Sequence, residues 1–351
     1  MKAEELYRGF LVDRALLAAD PHFASGCAFC HKGNEQAQDK QAAHQGLVKR
    51  PSDDLALCGR CHGAIAANYR KSLHYTTTGL AHGVSPRFSA QDKKLFDEKV
   101  FPKSCNSCHA SCGDCHVKSP VIGGVNIGLI KRHAFVRKDE GKTCALCHGG
   151  RVYPEFTGEY GGSTDVHYQK GMLCFDCHKM TELHGDGSEP TSRYEVKGRP
   201  SCVGCHAPGS EKTDKSQEAH GTHRGTLSCV ACHAGAPYRN CADCHLGGGA
   251  TAKPGFILGK NPRDPKTVTT LRLIPTVRDT FKSVGIEMEQ YDALANYWPA
   301  APHNIKKRTE RTRSCEVCHQ EAKGFLKEAD LPKQGSKANR KLLHTPKKLQ
   351  Q

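Results

Sequence analysis

The residues best suited to chemistry in this chain are the cysteines and histidines of CNSCHASCGDCH, from Cys105 to His116. This stretch contains two copies of the pattern C-x-x-C-H, separated only by Ala110 and Ser111. Two thiols three residues apart can bond to the two vinyl groups on one edge of a porphyrin, and the following histidine can then bind the iron. The pattern therefore predicts covalent attachment of c-type haem.

The same pattern occurs ten times along the 351 residues, and its ten pairs use all 20 cysteines. No cysteine is left for a disulfide or a free nucleophile, and the predicted cofactor is ten covalently bound haem c. The predicted attachment residues are Cys27, Cys30, Cys58, Cys61, Cys105, Cys108, Cys112, Cys115, Cys144, Cys147, Cys174, Cys177, Cys202, Cys205, Cys229, Cys232, Cys241, Cys244, Cys315 and Cys318. The predicted proximal iron ligands are His31, His62, His109, His116, His148, His178, His206, His233, His245 and His319.

Cysteine pairs at this spacing also occur in zinc sites and in redox dithiols. On paper, four thiolates for a zinc ion could come from Cys105, Cys108, Cys112 and Cys115. Neither chemistry needs a histidine directly after every pair. Iron–sulfur clusters fit no better, because a run C-x-x-C-x-x-C with a fourth cysteine before proline is absent. Haem attachment is the interpretation that uses every residue of the pattern.

Eleven histidines lie outside the motifs, and ten irons would need ten second axial ligands. We therefore expect two histidines on every iron, which saturates the iron and lowers its potential relative to Met/His ligation. The expected distal ligands are His22, His44, His74, His82, His133, His167, His184, His220, His223 and His303, with His344 as the spare. Because His220 and His223 are three residues apart, they share one helical face and could serve two adjacent haems.

The chain has little material for a conventional core, with 37% hydrophobic residues, one Trp and 35 Gly. Ten haems would supply large apolar faces around which short segments can pack. We expect a mostly irregular fold, with short α-helices wrapped around a chain of stacked haems and very little β-structure.

The motif spacing divides the chain into four segments. Residues 1–104 hold two motifs and a ligand-bearing linker, residues 105–245 a dense core of seven motifs, residues 246–314 a haem-free wrapping or docking segment, and residues 315–351 the last motif and a basic tail. An amphipathic helix is expected to end at Asp20-Pro21, irregular structure is expected in 246–314, and the Lys-rich tail is expected to be partly mobile. Intervals of 7 and 12 residues in the dense core are too short to pass around a haem, so neighbouring porphyrins are expected to touch.

The formal charge of +15 is expected to balance haem propionates, since ten ferric haems would bring about −10. We therefore predict no nucleic-acid partner. No run approaches 18 apolar residues, so no membrane span is predicted. The first 20 residues lack the apolar region of a secretory signal. Because covalent haem attachment follows export, we expect a periplasmic or extracellular protein whose signal peptide is not present in this sequence.

The ten motifs, the HxxH pair and the cysteine-free segments that carry further histidines make the sequence resemble the multihaem c-type cytochromes of anaerobically respiring bacteria and archaea. The resemblance spans residues 27 to 319 and includes cytochrome c3-like proteins and periplasmic conduits. It implies electron transport through bis-histidine haems, with redox proteins or extracellular electron acceptors as partners. Extracellular cytochromes that polymerise into nanowires are also similar, and in some of them one subunit donates a distal histidine to the next. Self-association into filaments is therefore a further expectation.

The multihaem nitrite, hydroxylamine and tetrathionate reductases are another comparison, and they imply catalysis at one haem with an open coordination position. Some of them mark that haem with C-x-x-C-K, which is absent here, although others keep C-x-x-C-H. An open iron would leave two non-motif histidines spare instead of one. The sequence favours electron transfer without catalysis, with a multihaem reductase as the alternative.

Overall fold

The structure is a computed structural model, and it describes residues 14–118, 121–122, 125–126, 134–135, 142–159, 164–207, 214–235, 255–274 and 276–349. The ninth motif, with Cys241, Cys244 and His245, lies outside the described residues, and so does His133. The expected N-terminal helix is described only from Arg14 onward.

Regular structure in the described residues consists mostly of short helices. The α-helices are α1 Arg14–Ala19, α2 Cys27–His31, α3 Lys40–Ala43, α4 Leu55–Gly59, α5 Gly63–Tyr69, α6 Leu73–Thr76, α7 Thr78–His82, α8 Ala90–Leu95, α9 Cys112–His116, α10 Lys142–His148, α11 Val152–Thr157, α12 Cys174–Cys177, α13 Met180–His184, α14 Asp214–His223, α15 Cys229–His233 and α16 Glu316–His319. A π-helix, Phe96–Val100, follows α8. The 3₁₀-helices are Pro21–Ser25, Pro51–Asp53, Ser85–Arg87, Cys105–Cys108, Tyr168–Lys170, Cys202–Gly204, Lys282–Val284, Tyr291–Ala293, Glu310–Thr312, Glu328–Asp330 and Lys337–Leu342.

Local sequence explains where several of these helices begin and end. Helix α1 ends at Ala19, directly before the Asp20-Pro21 pair, as predicted. Helix α4 begins after Asp54, whose side chain accepts a hydrogen bond from the backbone N–H of Ala56 at 2.9 Å. Each described C-x-x-C-H motif contains at least part of a helical turn. A helical turn places residues three apart on one side, so it directs the two thiols of a motif the same way.

The chain forms two compact units. The first unit comprises Met1–Thr78, Cys108–Thr143 and Lys179–Lys197. Its described strands form two antiparallel pairs, β1 Val117–Lys118 with β4 Ala134–Phe135 and β2 Val121–Ile122 with β3 Val125–Asn126. Its buried hydrophobic residues include Leu55 and Tyr69. This unit therefore has only a small conventional core.

The second unit comprises Gly79–Ser107, Cys144–His178 and Gly198–Gln351, and it contains a three-stranded antiparallel sheet. Strands β5 Ile257–Asn261 and β6 Asp264–Leu273 form a hairpin, and β7 Tyr297–Pro299 pairs with the end of β6. Residues 268–271 of β6 are buried on both faces. This sheet lies where the sequence predicts irregular structure; the run TVTTLRL is rich in the β-branched residues that favour strands.

Three hydrophobic clusters of the second unit surround this sheet and the α8 region. One contains Phe88, Phe96, Val100, Ile286, Met288 and Tyr291. Another contains Leu271, Leu273, Tyr297, Leu326 and Leu342, and the third contains Ala231, Leu258, Val268 and Phe325. The C-terminal tail contributes Leu326 and Leu342 to the second of these clusters.

The fold is mostly helical or irregular with little β-structure, as expected. In the part of the chain that the structure describes, no helix is both long enough and apolar enough to cross a membrane.

Candidate haem sites

The cysteines of the motifs lie at the protein surface. Of the 18 described cysteines, 11 are exposed and none is buried, although cysteine is usually among the most buried residue types. In three motifs an apolar residue between the two cysteines is exposed as well, namely Phe29 (40%), Leu146 (71%) and Val203 (62%), whereas Ala231 and Val317 are buried. These three motifs thus present thiols and an apolar side chain outward, which suits attachment of a flat apolar group.

Six motif histidines each face one non-motif histidine in the described residues, with ring centres 6.0 to 6.3 Å apart. The pairs are His62 with His22 (6.2 Å), His116 with His184 (6.0 Å), His178 with His303 (6.3 Å), His206 with His167 (6.0 Å), His233 with His220 (6.1 Å) and His319 with His223 (6.0 Å). Each pair lies within one compact unit.

The separation of the paired rings fits two ligands on one metal. Metal–nitrogen bonds to histidine are about 2 Å long, and the centre of an imidazole ring lies about 1 Å behind its nitrogen. Two rings on opposite sides of one metal therefore have their centres about 6 Å apart. Parallel rings stacked in direct contact lie closer, as His22 and Phe135 do at 4.0 Å. The paired histidines therefore have the spacing that bis-histidine ligation of a haem iron requires.

Hydrogen bonds at Nδ1 leave Nε2 available as the ligand atom in several motif histidines. His31 donates to the carbonyl oxygen of Val48 at 2.9 Å, and His109 to that of Tyr75 at 2.7 Å. Nδ1 of His233 likewise donates to the carbonyl oxygen of Lys306 at 3.1 Å, and Nδ1 of His319 donates to that of Lys347 at 2.6 Å. A carbonyl oxygen can only accept, so the proton of each neutral ring is on Nδ1 and the lone pair is on Nε2.

Non-motif histidines show the same arrangement. Nδ1 of His44, His184, His223 and His303 donates to the carbonyl oxygens of Lys40, Met180, Ala219 and Ala301 respectively. Desolvation by the surrounding protein, with help from Arg151 and His178, lowers the pKa of His303 to about 3. Desolvation also lowers the pKa of His184, with a further contribution from His116. The lowered pKa values favour the neutral rings of His303 and His184, and the neutral ring is the state in which histidine binds a metal.

Helix α14 carries both histidines of the HxxH pair and directs them to different motifs. His220 faces His233 of the eighth motif, and His223 faces His319 of the tenth. One short helix thus carries two histidines that lie beside two different motifs.

Neighbouring motifs approach each other through their sulfur atoms. The thiols of Cys58 and Cys112 lie close together, and their interaction raises the pKa of Cys58 and lowers that of Cys112 to about 7. The thiols of Cys202 and Cys229 interact in the same way, and the pKa of Cys229 is lowered to about 6. The attachment edges of the second and fourth motifs are therefore adjacent, and so are those of the seventh and eighth.

The linker between the tandem motifs is fixed by Tyr69. Its buried hydroxyl donates to the carbonyl oxygen of Ala110 at 2.7 Å. Tyr69→Phe removes this one hydrogen bond, and we expect the free energy of unfolding to fall by about 1 kcal/mol. Guanidinium denaturation followed by circular dichroism measures the change. Tyr194→Phe, which removes a hydroxyl that accepts a solvent-exposed hydrogen bond from Arg193, serves as the control, and an equal loss in both variants would contradict a specific role for Tyr69.

The other predicted ligands have different surroundings. His148 lies close enough to His303 to contribute to its lowered pKa, and His74 lies similarly close to His184. His82 ends helix α7, and the ring of His344 packs 5.8 Å from that of Phe325.

The described residues contain no group of three or more His, Cys, Asp or Glu side chains that could hold a metal ion. A haem iron needs only two protein ligands, so a bis-histidine site falls below that number. Comparison of the chain with known families, curated proteins and solved structures gives no match. The case for haem therefore rests on the motifs and on the geometry of the histidines.

Carboxylates close to the paired histidines are the functional candidates that the sequence analysis does not name. Asp20 and Asp165 accept hydrogen bonds from Nδ1 of His22 and His167, and Glu155 accepts one from the backbone N–H of His303. The sequence contains a signal for Asp20 and Asp165, because His22 and His167 are the only non-motif histidines with an aspartate two residues before them. Glu155 is far from His303 in sequence and gives no such signal.

Proposed function

We propose that the chain is a decahaem c-type cytochrome that carries out long-range electron transfer through closely spaced bis-histidine haems. The observation that carries the proposal is the set of six histidine pairs, each joining a motif histidine to a non-motif histidine at 6.0 to 6.3 Å. A haem iron held by two histidines exchanges single electrons and has no open position for a substrate. The proposed protein is therefore not an enzyme.

In this proposal the residues of the chain attach, orient and space the cofactors. The motif thiols would hold each haem covalently, and the Nδ1 hydrogen bonds would orient the paired histidines and leave Nε2 to bind the iron. The thiol contacts between Cys58 and Cys112 and between Cys202 and Cys229 support close spacing of neighbouring haems. Short distances between haems are what electron transfer along a chain of cofactors requires.

We place this protein outside the cytoplasm, in the periplasm or at the cell exterior, because covalent haem attachment follows export. Redox proteins or extracellular electron acceptors are the proposed partners, and the lysines and arginines are proposed to balance haem propionates. Two assembly states are compatible with this function. A nanowire subunit would self-associate into filaments, whereas a diffusing carrier would stay monodisperse. Negative-stain microscopy of the purified protein separates these two cases.

Mass spectrometry followed by low-temperature EPR tests the function. We expect a mass increase equal to ten haems, ten low-spin ferric haems, and no carbon monoxide adduct after reduction. A mass without haem would contradict the proposal entirely. A high-spin signal with matching carbon monoxide binding would instead reveal an open iron and favour the multihaem reductase.

A further inference from the structure

Two of the six paired non-motif histidines donate to a carboxylate. Nδ1 of His22 lies 2.7 Å from Oδ1 of Asp20, and Nδ1 of His167 lies 2.9 Å from Oδ1 of Asp165. By contrast, Nδ1 of His184, His223 and His303 donates to backbone carbonyls. Five of the six paired non-motif histidines thus fall into two electrostatic classes.

The local chain conformation explains this contact. In each case the aspartate precedes the histidine by two residues and also accepts its backbone N–H, at 3.0 Å for His22 and 2.7 Å for His167. This is the Asx-turn that aspartate favours two residues before an N–H donor. The same carboxylate oxygen therefore holds both the backbone and the ring of the histidine, which fixes the direction of Nε2.

The two aspartates differ strongly in burial. Asp165 is 1% exposed, and its second oxygen accepts the backbone N–H of Ile305 at 2.6 Å. The side chain of Asp20 is 16% exposed, and its partner His22 is 44% exposed. A charge shielded from water acts more strongly on its neighbours, so Asp165 should have the larger electrostatic effect.

We propose that Asp165 and Asp20 are positioning residues that strengthen His167 and His22 as iron ligands and lower the reduction potentials of the two haems these histidines bind. The inference rests on the proposed bis-histidine ligation. A hydrogen bond from Nδ1 to a carboxylate is about twice as strong as one to a neutral acceptor and gives the ring more negative character. More negative charge on the ligand stabilises ferric iron relative to ferrous iron. The haem of the seventh motif, facing His167, is affected more than that of the second motif, facing His22.

Potentiometric titration of the holoprotein, followed by EPR and absorption, tests this assignment with Asp165→Asn and Asp20→Asn. Asparagine keeps an oxygen that can accept the Nδ1 proton and removes the negative charge. For Asp165→Asn we expect the reduction potential of one haem of ten to rise by about 59 mV, which is about a tenfold change in its reduction equilibrium. For Asp20→Asn we expect a smaller upward shift of a different haem. Both variants should keep ten low-spin haems.

The alternative outcomes are distinct. Unchanged potentials in both variants would overturn the inference, and so would a high-spin haem in Asp165→Asn, because that result would make Asp165 a purely structural support of His167. If Asp165→Asn does not fold, the Asp20→Asn variant tests the inference. Unchanged haem potentials in that variant would then overturn it. Ten low-spin haems in the unaltered protein would keep the proposed function standing in each of these cases, whereas their absence would remove both.

Discussion

Replacing His220 or His223 with alanine is expected to open one haem in each variant, and a different haem in each. Both residues lie on α14, where His220 faces His233 at 6.1 Å and His223 faces His319 at 6.0 Å. Loss of a distal histidine leaves the iron five-coordinate, which makes it high-spin and able to bind carbon monoxide. We expect one high-spin haem of ten in each single variant and two in the double variant, measured by EPR and by carbon monoxide titration.

Pairs of substitutions test which haem each histidine serves. His220→Ala combined with His233→Ala should affect a single haem, because both residues would bind the same iron. His220→Ala combined with His319→Ala should affect two. Effects on independent sites add, whereas effects within one site do not. The number of altered haems therefore reports the pairing directly.

Glu218→Ala is the matched control, because Glu218 is an exposed residue of the same helix. It should leave all ten haems low-spin. A high-spin haem in this control would mean that α14 itself is disrupted. If both single histidine variants remain fully low-spin, the assignment of α14 as a carrier of two distal ligands is wrong.

The sequence predicts the chemistry of the motifs better than the position of the histidines. C-x-x-C-H is a local pattern, so attachment cysteines and proximal ligands can be named without any fold. The distal partner of a motif histidine is nonlocal, as the pairs His116 with His184 and His178 with His303 illustrate. Counting histidines predicts that distal ligands exist, but only the fold shows which ring faces which.

The same distinction between local and nonlocal signals explains which parts of the fold could be predicted from the sequence. The helix end at Asp20-Pro21 follows from adjacent residues and is confirmed, and the cap at Asp54 is an equally local feature. The sheet was not predicted, because residues 246–314 have no motif and contain several prolines. Leu271 and Leu273 of strand β6 share a buried cluster with Leu326 and Leu342 of the tail. Pairing between such distant segments is not encoded in any single stretch of sequence.

Replacing Glu155 with alanine is expected to destabilise the second unit by about 3–5 kcal/mol. Glu155 on α11 forms an ion pair at 2.9 Å with Arg151, the residue before this helix, and their side chains are only 3% and 12% exposed. Glu155 also accepts the backbone N–H of His303 at 2.9 Å. Its removal leaves Arg151 without its carboxylate in a region that excludes water, and it releases the backbone of a proposed distal ligand. Guanidinium denaturation measures the stability, and EPR measures the spin state of the haem facing His303.

Three comparison variants separate the roles of charge and hydrogen bonding. Glu155→Gln retains an oxygen acceptor for the His303 N–H and should cost less, about 1–3 kcal/mol. Arg151→Met combined with Glu155→Leu removes both charges and should recover most of the stability, because two well-packed apolar residues can replace a buried ion pair. Asp97→Ala breaks an exposed pair with Lys93 at the same i, i+4 spacing and should cost under about 1 kcal/mol. If Glu155→Ala costs no more than Asp97→Ala, the ion pair does not hold His303 in place, and the segment around that histidine must be fixed by the Asp165–Ile305 contact instead.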